Sequence, residues 1–280
     1  MGGLTMIQEL NQAEFYKCKT LLNDLGHLEA KAVIEGNNPG RVFVDHLETP
    51  KAGLIWLGNH DGFFFIGDEQ SDVFHQEIND FMDTTIIPEA RQLNLTNFIV
   101  IGNHSRWDKT IEKFFAHRHM QKFNQNVYRL EHHKEHDEPP IKRDYHVMKI
   151  TKDLFLNQKN SIENIGFLHS KIAGFWSSTE DFFDKGIGYS VINQNKIVSL
   201  CFSGFVAGNV HGLDMETIKE HQGNKLGQMA ASSVVDECVS KGMIPYWDCE
   251  EANKPSNAIA KKIGLEKSFS YNVYLFPIDS

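Results

Sequence analysis

A six-residue pattern occurs twice in this chain. Phe123-Asn124-Gln125-Asn126-Val127-Tyr128 returns as Phe269-Ser270-Tyr271-Asn272-Val273-Tyr274, 146 residues further on. The same spacing carries Leu54 to Leu200, Gly58 to Gly204, Gly62 to Gly208, Asp68 to Asp214 and His75-Gln76 to His221-Gln222. Hairpin signals repeat with it. Residues 41–45, a turn at Glu48-Thr49-Pro50 and residues 52–57 correspond to 187–191, a turn at Asn193-Gln194-Asn195 and 197–202. Spacing kept without insertion over ~90 positions marks a duplicated unit. Near the starts it shortens to 140, where Leu10-Asn11 and Phe15 face Ile150-Thr151 and Phe155, with Asn11 and Thr151 each placed to cap a helix. Between the copies, Glu131-His132-His133-Lys134-Glu135-His136-Asp137-Glu138-Pro139-Pro140 is charged, ends in proline and has no apolar period. The expected division is a domain at 1–130, a linker at 131–145 and a second domain at 146–280.

The second copy holds the sharper chemical signal. A strand-like stretch, 208–217, passes through Gln222-Gly223-Asn224-Lys225-Leu226-Gly227 into a helix-like stretch, 230–242. Glycines at a strand-to-helix bend let backbone amides approach an anion at the positive end of the helix. After the helix come a strand-like Ile244-Pro245-Tyr246-Trp247-Asp248-Cys249, then Asn253-Lys254-Pro255-Ser256-Asn257 and a helical stretch ending at Ile263-Gly264-Leu265. These residues resemble motifs A and B of the GNAT acetyltransferases. More narrowly, 245–265 is similar to the signature of the GNAT subfamily that includes the zwittermicin A resistance protein. Lys225 stands where the loop pattern has a small residue, and Ala260 where many members carry a tyrosine.

The resemblance implies an α/β fold, α+β with a mixed sheet, built of two tandem GNAT-like domains, the first degenerate. At the offset of the glycine bend the first copy has Gln76-Glu77-Ile78-Asn79-Asp80-Phe81, with no glycine and two carboxylates, so only the C-terminal domain is expected to bind acetyl-CoA as acyl donor. The implied cofactor residues are Gln222, Gly223, Asn224, Lys225, Leu226, Gly227 and Gln228 around the diphosphate. Met215 and Thr217 on the strand before the bend, with Asn253 and Ser256, would lie along the pantetheine arm. The lesser reading of Asn253 is a residue that opens a helix. That strand is also expected to splay from 246–249.

Acyl transfer to an amine needs a group that takes protons. Asp214 and Glu216 share one face of the strand, opposite Met215 and Thr217. Glu216 is the first candidate base, Asp214 the second, and Ser256 a candidate proton donor or a helix cap. The implied activity is N-acetyl transfer from acetyl-CoA to a primary amine of a small, antibiotic-like molecule. The alternative is a non-catalytic acyl-CoA-binding or regulatory module.

Composition trims the other classes. A net charge of −9 argues against a nucleic-acid partner, which needs a concentrated positive face. No apolar run approaches the ~18 residues of a membrane span, and no secretory leader is readable, so a cytoplasmic protein is expected. Cysteines 18, 201, 238 and 249 show no CxxC spacing and read as buried thiols. The linker histidines lack an HExxH spacing, so no metal is expected. GxxxxGK[ST], GxGxxG and GxSxG are all missing.

Overall fold

Seven strands form along the first copy and its end: β1 (Gln8–Glu9), β2 (Arg41–Val44), β3 (Ala52–Trp56), β4 (Gly62–Gly67), β5 (Asn97–Gly102), β6 (Gln121–Arg129) and, opening the second copy, β7 (His146–Lys149). Five follow: β8 (Gly188–Asn193), β9 (Lys196–Ala207), β10 (Val210–Thr217), β11 (Ile244–Glu250) and β12 (Glu266–Pro277). This computed structural model describes residues 6–23, 26–57, 62–130, 144–157 and 161–278. Most of the expected linker, 131–143, lies outside them, with its three histidines.

Contacts divide the chain into one unit of 1–125 with 271–280 and another of 126–270. These boundaries differ from the sequence-order division because they cut inside β6 and β12. The end of β12 completes the sheet of the first unit, with Tyr274 opposite Val100 and Pro277 opposite Asn97.

Each unit repeats one topology. In the first, β2, β3 and β4 run antiparallel and β4 pairs parallel with β5. In the second, β8, β9 and β10 run antiparallel and β10 pairs parallel with β11. A parallel pair needs a crossover. The first unit supplies α2 (Asp72–Phe81), a π-turn at Met82–Ile86 and α3 (Ile87–Gln92), after α1 (Leu28–Ile34). Pro88 sits in the first turn of α3, where its missing amide costs least. The second unit uses one helix, α8 (Leu226–Ser240). After the parallel strand come α4 (Trp107–Phe114) and α9 (Lys254–Lys262) respectively. The remaining helices are α5 (Lys152–Leu156), α6 (Ile165–Ala173) and α7 (Thr179–Lys185). Thr151 caps α5 by accepting from the Leu154 amide, whereas Asn11 makes no cap and bonds Glu14 instead.

Strand alternation sorts the second unit into two layers. Leu200 and Phe202 of β9 face Leu168, Trp176 and Phe182 around α6 and α7, while Cys201 joins Leu213, Val234, Trp247 and Ala260 beneath α8 and α9. The four cysteines are buried free thiols. The first unit packs Phe63, Phe65, Phe98, Trp107 and Phe276 into its own core.

The end of α8 is fastened by charge. Glu237 is 8% exposed and accepts from Lys149 Nζ (2.5 Å), Lys241 Nζ (2.6 Å) and Tyr189 OH (2.8 Å). Burial by itself would raise its pKa, but these hydrogen bonds outweigh it and hold the carboxyl at about 2. A depressed carboxylate stabilises the fold above the unfolded value of 4.5 and loses that contribution as pH falls toward 2. Glu237→Gln is expected to lower the unfolding free energy by about 1–3 kcal/mol at pH 7, with the difference shrinking below pH 4 in urea titrations.

Candidate active site

Strand β10 leaves its parallel neighbour halfway along. The ladder with β11 pairs Val210–Ile244, His211–Pro245 and Gly212–Tyr246 and ends there, although β10 continues to Thr217 and β11 to Glu250. At that step the pairing of β10 with β9 jumps from Gly212–Phe205 to Leu213–Ser203, so Gly204 is an extra, bulged residue. The bulge, on β9, bends that strand and increases the local twist at the same step at which 213–217 leave the ladder with β11. The first unit has no such divergence. There the β4–β5 ladder reaches Phe65–Gly102, and the Asn103 amide adds a bond to the Phe65 carbonyl at 2.8 Å.

Beyond β10 the chain makes the glycine bend. A short 3-10 turn at Lys219–His221 leads to Gly223, with φ +80°, and to Lys225, with φ +61°, at the N-cap of α8. Lys225 therefore occupies the left-handed conformation for which glycine is favoured, and its exposed side chain stands at the helix mouth. Gly227 is there for close approach: a β-carbon would lie 2.5 Å from Met215 Sδ and 3.2 Å from Thr217 Oγ1. The first turn of α8, lacking carbonyls four residues back within the helix, presents its amides at the end of β10. Around Gly223 a β-carbon would meet nothing within 4 Å. This open turn of amides beside a lysine suits a diphosphate.

Several predicted side chains are occupied in building the bend. Gln222 Nε2 donates to the Thr217 carbonyl (3.2 Å), Asn224 Nδ2 to the His221 carbonyl (3.1 Å), and Thr217 Oγ1 pairs with Ser199 Oγ (2.7 Å). Leu226, Gln228 and Met215 pack inward, buried or half-buried. Tyr145 OH lies 3.1 Å from His221 Nδ1 and steadies the 3-10 turn. Asn253 caps α9 by accepting from the Ser256 amide (3.2 Å). Ser256 Oγ accepts from Trp247 Nε1 (3.0 Å) and helps hold down the pKa of the Cys249 thiol, which burial raises.

In the first unit, Gln76-Glu77-Ile78-Asn79-Asp80-Phe81 lies inside α2 and forms no bend. The true counterpart of the cradle is 68–71, half the length of 218–225, and it carries Asp68 and Glu69. The repeat spacing lapses here and resumes at β5 and β11.

The two candidate bases have different surroundings. Lys171 of α6 forms an ion pair with Glu216. Asp214 lies deeper, beside Gly204, and its pKa is pushed up to about 6, mainly by burial and further by Glu216, against an opposing pull from Lys171. Sequence reasoning missed Lys171, and also Asn257, which joins Asn126 and Tyr128 to the end of β11. Its partners sit 131 and 129 positions away, beyond any local pattern.

A family profile described as GNAT acetyltransferase matches residues 19–274. The chain belongs to the GNAT acetyltransferase family. It is 23% identical over 273 residues to the uncharacterized N-acetyltransferase YdfB of Bacillus subtilis (strain 168), covering 97% of this chain and 99% of that one. Among solved structures, a GCN5-related N-acetyltransferase-like protein from Streptococcus suis 89/1591 superposes with a TM-score of 0.68 at 18% identity, covering 95% of this chain and all of the other. A tandem GNAT protein from the clavulanic acid biosynthesis pathway gives 0.60 at 10% identity over 97% and 98% of the two chains. The fold is thus that of a tandem GNAT protein, and the chain is an acetyltransferase. Among the described residues, no helix is long and apolar enough to cross a membrane.

Lys225→Gly is expected to raise the unfolding free energy by about 0.5–1 kcal/mol, the left-handed strain less the entropy of glycine, in urea denaturation. For Asp214, the folded pKa of about 6 exceeds the unfolded 3.8, so its ionisation costs stability as pH rises from 4 to 6. Relative to wild type, Asp214→Asn should gain about 1–2 kcal/mol on going from pH 4 to pH 7, an effect reduced by its partial exposure.

Proposed function

We propose that the second unit transfers the acetyl group of acetyl-CoA to a primary amine of a small molecule. The observation that carries this reading is the end of the parallel ladder at Gly212–Tyr246, followed directly by the bend from Gly223 to Gly227. A strand splay leading to a turn of outward amides offers an extended slot with an anion seat at its end, the shape an acyl-CoA arm requires. Acetyl-CoA supplies the activated acyl group when bound. Amides of 223–228 would hold its diphosphate, Lys225 would add charge, and 213–217 with 246–249 would flank its arm.

Asp214 is the group we assign to take the proton of the acceptor ammonium, directly or through a water. A base works best with a pKa near the working pH, and burial has moved Asp214 toward it. Glu216, bound to Lys171, serves that face by charge. Ser256 is the candidate proton donor at the α9 end, since accepting from Trp247 leaves its own proton to give. The acidic pair at 214 and 216 favours a cationic acceptor. Likeness of 245–265 to the zwittermicin-resistance signature points to an antibiotic-like aminated compound. The four buried free thiols suit a reducing compartment such as the cytoplasm.

Acetyl-CoA at one hundred times Kd should add about 2.7 kcal/mol of apparent stability in a thermal-shift assay. Gly227→Asp, which puts bulk and negative charge in the cradle, should abolish that shift. A wild-type protein unmoved by millimolar acetyl-CoA would sink the reading. With an amine panel, thiol release should fall about 10²- to 10⁴-fold in Asp214→Asn with little change in acetyl-CoA affinity. Clear binding with no turnover on any amine would favour the non-catalytic module.

A further inference from the structure

The repeated hexapeptide does the same mechanical task in both units, but with different consequences. In the first unit Asn272 Nδ2 donates to Asp108 Oδ2 (2.7 Å) and Tyr274 OH to Glu112 Oε1 (3.0 Å), both on α4. In the second, Asn126 Nδ2 (2.9 Å) and Tyr128 OH (2.6 Å) both donate to Asn257 Oδ1 on α9. An Asn-x-Tyr pair on a strand therefore grips the helix that follows the parallel strand.

The helix residue decides what happens next. A carboxylate only accepts, so Asp108 and Glu112 have no proton to pass on toward β5. The Asn257 amide has two. Its Nδ2 donates to the Glu250 carbonyl at the end of β11 (2.9 Å) and to the Asn253 carbonyl (2.7 Å), with a longer approach to Glu251 (3.4 Å). The Asn253 amide adds a second bond to the Glu250 carbonyl (2.9 Å), and Trp247 Nε1 reaches Ser256 Oγ on α9 (3.0 Å). The carbonyl that ends β11 is thus taken up by donors from the turn and helix that follow it, and is not left for a longer ladder with β10. In the first unit, where the helix meets that pair with carboxylates, the ladder runs on to the end of β5.

We infer that Asn257 is a positioning residue that holds the end of β11 off β10 and so keeps the acyl-CoA slot open, with Tyr128 and Asn126 bracing it from β6. This rests on the reading that the second unit binds acyl-CoA. Its four capacities are all used: the oxygen by two donors from β6, the two protons by carbonyls of β11 and of the turn before α9. Rotating or removing that amide releases β11 to extend its ladder with β10.

The test is calorimetry with coenzyme A on wild type, Asn257→Asp and Tyr128→Phe, together with steady-state kinetics and hydrogen exchange of 247–250. Asn257→Asp keeps the acceptor for β6 but faces the Glu250 carbonyl with a carboxylate oxygen. Its Kd should rise about tenfold, the weight of one lost buried hydrogen bond. KM for acetyl-CoA should rise more than kcat falls, and exchange at 247–250 should change before any ligand is added. Tyr128→Phe, which keeps its ring in the core, should weaken binding about two- to threefold and carries the test should Asn257→Asp not fold. Wild type that binds, alongside variants with unaltered Kd and exchange, overturns this inference alone. Wild type that fails to bind overturns the cofactor reading beneath it.

Discussion

The divergence of β10 from β11 is the feature on which the second unit turns. Parallel strands gain a hydrogen bond at every other residue, so leaving several positions of each strand outside the ladder has to be offset by other bonds. Here the β9–β10 pair carries the Gly204 bulge at the step where the ladder ends, and the end of β11 is bonded to the turn before α9 and to α9 itself. The same gap sets the approach of α8. Gly227 lets the helix close on Met215 and Thr217, and this brings the amides of its first turn to the end of β10. Remove the divergence and the amides would have no opening to face.

Electrostatics follow from depth and partners rather than from residue type. Glu237 and Asp214 are both carboxylates in the second unit, yet one is drawn down to about 2 and the other pushed up to about 6. Glu237 receives three donors that more than replace its lost water. Asp214 is half-buried, and its desolvation outweighs the pull of Lys171, with Glu216 adding to the rise. The first arrangement stabilises the fold, and the second costs stability and leaves a carboxylate able to exchange protons near neutral pH.

The two halves share one architecture and differ at the bend before the crossover helix. The first unit keeps the strand order, the parallel pair and the helix grip, but joins β4 to α2 through a bend half as long and places carboxylates in it. Among the described residues, that bend carries Asp68 and Glu69 where the bend of the second unit carries Gly223 and Lys225.

The repeat of 146, the hairpins, the glycine bend and the mixed α/β plan were legible in the chain because each depends on spacing and local conformation. The regular offset misplaced the first unit's bend, since it assumed equal loops where one had shortened. Asn11 had the right chemistry for a cap and found another partner. What folding alone decided were matters of depth and distant neighbours: Lys171 meeting Glu216, Asp214 sinking against Gly204, and Asn257 joining β6 to β11 across more than a hundred residues. Local sequence sets backbone preference, whereas a carboxylate's pKa or an amide's partners depend on groups that only the packed chain brings within reach.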